Sequence, residues 1–197
     1  MKIIILLISL LSYTTHAQDL TPKENWYTLW GAGMTGTLYD DENVNDAIDE
    51  LQDIDDVERT TINADLFGFY WPVDMEHQTM MGFIIHGTND SFDGDGVTFD
   101  VSQTLYAFST IAFLGKQIGH GWYLRGDIGV ARGKVDIDTT LVDYNKTFNG
   151  YGFLGGAGHG WKIANDTRFL IGLYFSRFNL EDDFKTSNIS LSGSFLF

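Results

Sequence analysis

The sequence has no cysteine, few basic residues and, beyond its start, no long apolar run. Without cysteine, no disulfide bond can stabilise a small exported domain, so a packed core or a closed sheet must do so. There are 12 Lys and Arg against 27 Asp and Glu, and this net charge of −15 argues against a nucleic-acid partner, whose phosphates need basic contacts. The missing run of about 18 apolar residues excludes a transmembrane helix after the start of the chain.

The first 17 residues have the features of a cleavable signal peptide. Met1 and Lys2 give a positively charged start, and an apolar run over residues 3–11 follows. Thr15 and Ala17 are small residues at the positions that a signal peptidase reads. We therefore expect residues 1–17 to be removed and residues 18–197 to fold as one domain outside the cytoplasm.

The rest of the chain divides into segments of about ten residues that are rich in aromatic and β-branched types, separated by Gly, Asp and Asn. We predict strands over residues 26–39, 60–71, 77–88, 99–114, 121–135, 147–161, 167–180 and 188–197. In the fifth, seventh and eighth, large apolar residues alternate with small or polar ones, as expected for a lipid face and a narrow lumen. The first, third and fourth are apolar on both faces, so their orientation stays open. The pattern predicts an all-β, eight-stranded, antiparallel up-and-down transmembrane β-barrel.

The predicted connections alternate in length. Residues 72–76, 116–120 and 162–166 are short links, whereas residues 40–59, 89–98 and 136–146 are longer and acidic. The last link, residues 181–187, is acidic but only modestly longer than the short ones. Short periplasmic turns and longer external loops are typical of outer-membrane barrels, so we expect both termini on the periplasmic side.

Tryptophan gives a separate indication of this topology. Four tryptophans fall at the expected periplasmic ends of strands, and a fifth, Trp30, does not fit the pattern. Because indole rings favour the membrane–water interface, the four predict a periplasmic aromatic girdle. They are Trp26, Trp71, Trp122 and Trp161.

The strand layout and the ending of the chain together resemble the small eight-stranded outer-membrane proteins of the OmpA/OmpX type. Residues 189–197 alternate apolar residues with small ones up to Phe195 and the terminal Phe197. The resemblance implies insertion in the outer membrane of a Gram-negative bacterium, contact with the bilayer and lipopolysaccharide, and recognition of Phe195 and Phe197 by the barrel assembly machinery. It implies no particular activity, because one barrel type serves many functions.

Charged residues on predicted lumen faces are the first candidate site. Arg125 and Asp127 lie two apart on the fifth strand, and Asp65 has a similar place on the second. Such charges are tolerated only when paired or hydrated. We predict a structural polar network that fills the lumen, because an eight-stranded interior is just wide enough for side chains. The alternative is a gate or a narrow, porin-like conduction path.

His86 and Thr88 are a weaker candidate. With Asn89 they are similar to the His-x-Ser-Asn pattern of outer-membrane lipid A deacylases, in which the histidine activates the hydroxyl two residues further on. Here Thr replaces Ser, the motif is in an early strand and no acidic partner can be assigned. A strand end followed by a polar loop is the favoured interpretation, so we predict no catalytic residue and keep a lipid A-modifying enzyme as an alternative.

Two acidic segments raise the question of cations. Residues 89–96 carry oxygen donors at alternate positions, as in a calcium loop, but Asp-Gly pairs are common in hairpin turns and we predict no metal site or cofactor. In residues 40–59, apolar residues at near-helical spacing indicate either a short amphipathic helix above the barrel or a disordered loop. Divalent cations could associate diffusely with these carboxylates and bridge them to lipopolysaccharide phosphates.

The composition and patterns favour a structural or surface-interaction protein with a filled lumen and acidic external loops. A soluble, lipocalin-like binder would instead hide its apolar residues inside the barrel.

Overall fold

In the computed structural model, the described residues are 26–40, 48, 58–73, 78–94, 97–115, 117–139 and 143–197. They form strands β1 (Tyr27–Tyr39), β2 (Glu58–Pro72), β3 (Thr79–Gly94), β4 (Val97–Phe113), β5 (Gly121–Thr139), β6 (Asp143–Lys162), β7 (Arg168–Leu180) and β8 (Lys185–Leu196). The signal peptide predicted at residues 1–17 lies outside the described residues. For residues 40–59 the sequence left a short helix and a disordered loop as alternatives, and residues 41–47 and 49–57 also lie outside the described residues. Ile48 between them is described, and its side chain is buried.

Every strand pairs antiparallel with its neighbour in the chain, and β1 pairs with β8 to close the barrel. This last ladder runs from Leu29↔Leu196 to Tyr39↔Thr186. Closure gives strand edges a partner, which is how a sheet satisfies its backbone groups in lipid. The predicted fold class is confirmed. No helix within the described ranges is long and apolar enough to cross a membrane.

The start of β1 and the C-terminal Phe197 lie at one end of the barrel, which we call the terminus end, and the opposite end is the loop end. At the loop end, two predicted loops were wrong. Most of residues 89–98 and 136–146 are strand, because β3 continues to Gly94, β4 begins at Val97, β5 continues to Thr139 and β6 begins at Asp143. The outward-facing residues of these strand ends are polar. The alternation of apolar and polar residues that is typical of a membrane strand is therefore lost, although the strands continue.

The outer wall is apolar over the half nearer the terminus end. On β5, for example, Trp122, Leu124, Ile128 and Val130 are 63%, 52%, 69% and 64% exposed. A soluble protein rarely exposes a continuous apolar band of this kind, whereas a membrane barrel requires one. Towards the loop end, the outward positions of β5 change to Arg132 and the exposed ion pair Lys134–Asp136.

Aromatic rings join neighbouring strands on this outer wall. Trp26 stacks on Phe69 with centroids 5.8 Å apart, and Phe69 also contacts Trp71 at 6.4 Å. Further round the barrel, Trp122 and Trp161 both contact His159, at 5.3 and 4.5 Å. The structure thus brings the four tryptophans of the predicted girdle to the terminus end.

A bulge in β2 changes which residues face the lumen. Asp65 and Gly68 both point inward and pair with Gly31 and Leu29 of β1, so β2 carries one extra residue between them. Leu66 and Phe67 are both on the outer wall, 50% and 40% exposed. Because a bulge reverses the period-two pattern, no single alternation describes the inward face of β2.

The three strands whose orientation stayed open each have an inward face that mixes polar and apolar side chains. β1 directs Thr35, β3 His86, and β4 Gln103 and Ser109 into the lumen, and all four side chains are buried. On the outer side of the same strands lie large exposed residues such as Met34, which is 74% exposed, and Phe83, which is 60% exposed.

Candidate functional site in the barrel lumen

Arg125 of β5 lies at the centre of a buried ionic cluster. Its Nη1 and Nη2 donate to Oδ2 and Oδ1 of Asp65 at 2.7 and 2.9 Å. Its Nη2 and Nε also donate to Oδ2 of Asp127, at 2.7 and 3.0 Å. The side chains of Arg125, Asp65 and Asp127 are 1%, 3% and 0% exposed. The structure therefore brings the three predicted lumen residues into one contact network.

Neighbouring polar groups complete the hydrogen bonding of both carboxylates. His86 of β3 donates from Nδ1 to Oδ1 of Asp65 at 2.9 Å. Ser109 of β4 donates to Oδ1 of Asp127 at 2.5 Å and accepts from the hydroxyl of Tyr70 at 2.9 Å. Ser194 of β8 also donates to Oδ2 of Asp65, at 3.4 Å. Five strands thus contribute to this cluster, which satisfies the requirement that buried charges be paired and hydrogen-bonded.

Aromatic side chains fill the remaining width of the lumen. The Arg125 guanidinium lies over the ring of Tyr174, 5.1 Å from its centroid. The hydroxyls of Tyr174 and Tyr123 are 2.5 Å apart. This packing requires glycine next to the two tyrosine rings. A Cβ at Gly158 would come within 2.4 Å of the Tyr123 hydroxyl oxygen, and a Cβ at Gly172 would come within 2.3 Å of the Tyr174 hydroxyl oxygen.

The glycines of β6 are the sequence signal for this filling. They occupy most of its inward positions and leave the lumen to side chains of the other strands. They are Gly150, Gly152, Gly156, Gly158 and Gly160. The sequence alone did not show that these glycines make room for side chains of other strands, because glycine at every second position also fits a wide, open lumen.

A second layer of polar contacts lies nearer the loop end. Gln103 of β4 donates from Nε2 to Thr186 of β8 at 2.6 Å and accepts from Thr88 of β3 at 3.2 Å. Beyond it, Asp90 accepts from Arg59 Nε and Nη2 at 2.9 and 2.8 Å and from the Tyr39 hydroxyl at 2.9 Å. Buried polar contacts therefore continue from the ionic cluster to Asp90, towards the loop end.

The structure supplies the acidic partner of His86 that the sequence could not assign. It is Asp65, which pairs with His86 in the β2–β3 register. However, His86 and Thr88 face the lumen, with 2% and 6% exposure, and Thr88 donates to Gln103 rather than to His86. His86 Nε2 has no hydrogen-bond partner among the described residues. The arrangement therefore does not present an activated hydroxyl to lipid.

Residues 89–94 of the segment that resembled a calcium loop belong to strand β3. Asn89, Ser91 and Asp93 alternate with Asp90 and Phe92 along β3, so their oxygen atoms are divided between the two faces of the barrel wall. Among the residues that the structure describes, no three His, Cys, Asp or Glu are grouped to hold a metal ion.

Comparison with known proteins gives matches to solved structures alone. No family model and no curated protein matches the sequence. The chain is similar to the crystal structure of Ail, the attachment invasion locus protein of Yersinia pestis, with a TM-score of 0.56, 13% identity, and coverage of 88% of this chain and 99% of that one. A second structure of Ail, in complex with the heparin analogue sucrose octasulfate, matches with a TM-score of 0.56 and 13% identity over 87% of this chain and 97% of that one. The crystal structure of Neisserial surface protein A matches with a TM-score of 0.51 and 8% identity over 87% of this chain and 96% of that one.

The chain has the fold of the small eight-stranded outer-membrane barrels. Within this outer-membrane-barrel fold, Phe195 on β8 and Phe197, the residue that follows β8, are 43% and 45% exposed on the outer side. Phe197 also exchanges two backbone hydrogen bonds with Thr28, each 3.0 Å long, which fasten the C-terminus to β1. Their role as an assembly signal stays a prediction.

Proposed function

We propose that the mature chain is an outer-membrane protein with a structural or surface-interaction role, and that it does not act as a diffusion pore. The observation that carries this proposal is the filled lumen, where Arg125 links Asp65 to Asp127 across the barrel. A hydrated ion would have to break this cluster to pass. The cost of separating fully buried charges is several kcal/mol, which disfavours conduction.

The outer wall supports the location that we propose for the protein. An apolar band bounded by aromatic rings matches a bilayer with an interface at the terminus end. We assign the terminus end to the periplasm and the loop end to the cell exterior, with the bilayer and lipopolysaccharide as partners. The signal peptide at residues 1–17, the assembly signal at Phe195 and Phe197 and the girdle at Trp26, Trp71, Trp122 and Trp161 belong to this proposal.

The surface-interaction role is supported by strands that are longer than a membrane requires. β5 has 19 residues and β6 has 20, whereas a tilted strand crosses the hydrocarbon in about 9–11 residues. The excess lies at the loop end, where outward side chains such as Asp93 and Asn149 are polar and exposed. This projecting, acidic sheet favours a basic partner, or a lipopolysaccharide contact bridged by divalent cations.

The proposal predicts that the reconstituted protein conducts little. Mature wild-type chain in a planar lipid bilayer should give no stable unitary channels, because the ionic cluster closes the lumen. Faster gel migration of the unheated sample than of the boiled one verifies that the barrel is folded. Large, long-lived channels from such folded protein would contradict a filled lumen and favour the porin-like alternative.

Epitope accessibility tests the orientation separately. A tag inserted between residues 140 and 141 should bind antibody on intact cells, and a tag after residue 17 should bind only after the outer membrane is permeabilised. The reverse labelling would place the projecting sheet in the periplasm and remove the surface-interaction role.

A further inference from the structure

The ladder between β1 and β2 stops about halfway along β1. It runs from Tyr27↔Tyr70 to Met34↔Ile62. Beyond this point β1 stays paired with β8 as far as Tyr39↔Thr186, and β2 stays paired with β3 as far as Glu58↔Asp93. Both strands are therefore held on their other edges while the facing edges separate. We call residues 35–39 of β1 and 58–61 of β2 the open seam.

Side chains replace part of the missing ladder. Asn63 donates from Nδ2 to the carbonyl oxygen of Met34 at 3.0 Å. Arg59 donates from Nη2 to the carbonyl oxygen of Thr37 at 3.4 Å. An unpaired carbonyl at the edge of hydrocarbon is costly, and these contacts lower that cost without closing the wall. The open seam is thus a built feature of β1 and β2.

A cavity of about 320 Å³ occupies the open seam. Its lining residues are Gly36, Thr37, Leu38, Arg59, Thr61 and Ile189. The cavity reaches the outer wall, since Leu38 and Ile189 are 63% and 55% exposed and a Cβ added at Gly36 would meet no atom within 4 Å.

The cavity lies where the wall changes from apolar to polar. Next to Leu38 and Tyr39 in the chain, Asp40 forms an exposed ion pair with Arg177 at 2.6 Å. On the other side of the cavity, towards the terminus end, lie the exposed side chains of Met34 and Ile62. A molecule seated here would have one end in hydrocarbon and the other among charges, which is the position of a lipid near its headgroup.

Arg59 supplies a fixed hydrogen-bond donor to this cavity. Its Nε and Nη2 are held by Asp90, and the side chain is 28% exposed. Its Nη1 makes no hydrogen bond with the part of the chain that the structure describes. A guanidinium fixed in this way binds phosphate oxygens through charge-assisted hydrogen bonds. Because Asp90 offsets its charge, the apolar lining must contribute a large part of any binding.

We propose that the open seam binds one phosphorylated membrane lipid from the side, with an acyl chain against Gly36, Leu38 and Ile189 and the phosphate on Arg59. The volume is near the lower limit of about 300 Å³ for small-molecule sites, so it holds a segment of one acyl chain next to the phosphate while the rest of the lipid stays in the bilayer. The inference rests on the membrane insertion proposed above and adds a lipid site in the wall of the barrel.

Native mass spectrometry of the full mature chain, released from phosphatidylglycerol nanodiscs, tests the site. Wild-type protein should retain one phosphatidylglycerol. Gly36→Trp should lose it, because the indole fills the cavity. Arg59→Gln should lower retention about tenfold, the effect expected for losing a charge-assisted hydrogen bond.

The matched control is Gly126→Trp. Gly126 is also exposed on the outer wall, and a Cβ there would likewise meet no atom within 4 Å. This variant should keep the lipid. Equal retention by Gly36→Trp and wild type, equal loss in both tryptophan variants, or no lipid on inserted wild-type protein would each overturn the site while leaving the proposed function intact. Wild-type protein that fails to insert and shows no heat-dependent gel shift would overturn the proposed function and the lipid site with it.

Discussion

Two arginines of the barrel form bidentate hydrogen bonds with aspartate, but their surroundings are very different. Arg125 is 1% exposed and binds two aspartates in the middle of the lumen, in a cluster to which five strands contribute hydrogen bonds. Arg59 is 28% exposed and binds one aspartate, Asp90, where β1 and β2 separate. In the proposed function, the cluster around Arg125 closes the interior against ions. The Arg59–Asp90 pair holds the side chain of Arg59 in place at the open seam.

The difference shows how burial decides what an ion pair contributes. Fully buried charges are costly to leave without partners, so the Arg125 cluster behaves as one unit. At the seam, water reaches part of Arg59, which weakens the electrostatic interaction and leaves a donor for another molecule. The two sites can therefore be separated by mutation.

The largest effect is expected for Arg125→Met, which leaves two buried carboxylates without their cation. The free energy of unfolding should fall by about 3–5 kcal/mol, measured by urea titration of tryptophan fluorescence in lipid vesicles. Replacing Asp65 and Asp127 by Asn in the same variant should recover part of the loss, because the uncompensated charges are removed. Arg132→Met, on the exposed outer face of β5, is the control and should change stability by less than about 0.5 kcal/mol. Equal effects at Arg125 and Arg132 would contradict a sealed ionic cluster.

A smaller effect is expected for Arg59→Met at the open seam. The loss should be about 1–2 kcal/mol, because only one buried carboxylate loses its cation and Asp90 keeps its hydrogen bond from Tyr39. The same vesicle titration measures it, with Lys134→Met on the exposed part of β5 as the control. A loss as large as that of Arg125→Met would mean that the two arginines are equally structural, and the contrast drawn above would be wrong.

The smallest effect is expected for Lys146→Ala, which removes an exposed ion pair with Asp182 at 2.7 Å on the projecting sheet. Stability should change by less than about 1 kcal/mol, and the change should shrink as salt is raised. Unfolding titrations at low and high ionic strength provide the comparison. A larger, salt-independent loss would show that the projecting sheet stabilises the barrel.

Much of the architecture could be predicted because it depends on local pattern. Ile189, Leu191 and Phe195 alternate with serines, and the structure places the former on the outer wall and the latter in the lumen. Strand ends were predicted less well at the loop end, where β3 to β6 leave the apolar zone and their outward residues become polar. The apolar alternation depends on whether the outer face of a strand contacts lipid or water, so it ends where a strand leaves the membrane even though the strand continues.

The sequence predicted a polar network in the lumen but did not identify all of its residues. Arg125 and Asp127 could be linked because they lie two apart on one strand. His86 and Ser109 were missed as members, since their contacts depend on the registers of β2 with β3 and of β4 with β5. No local feature of the sequence encodes those registers.

By itself, the sequence determined that this chain forms an eight-stranded antiparallel barrel with apolar residues outside, because strand periodicity and turn residues are properties of short segments. Only the tertiary structure decided that the bulge at Leu66 reverses the inward face of β2, that five strands contribute to the cluster around Arg125, and that the ladder between β1 and β2 ends at Met34. These features arise from pairing between distant parts of the chain. Their energies depend on which groups meet across strands, and that is fixed only when the barrel closes.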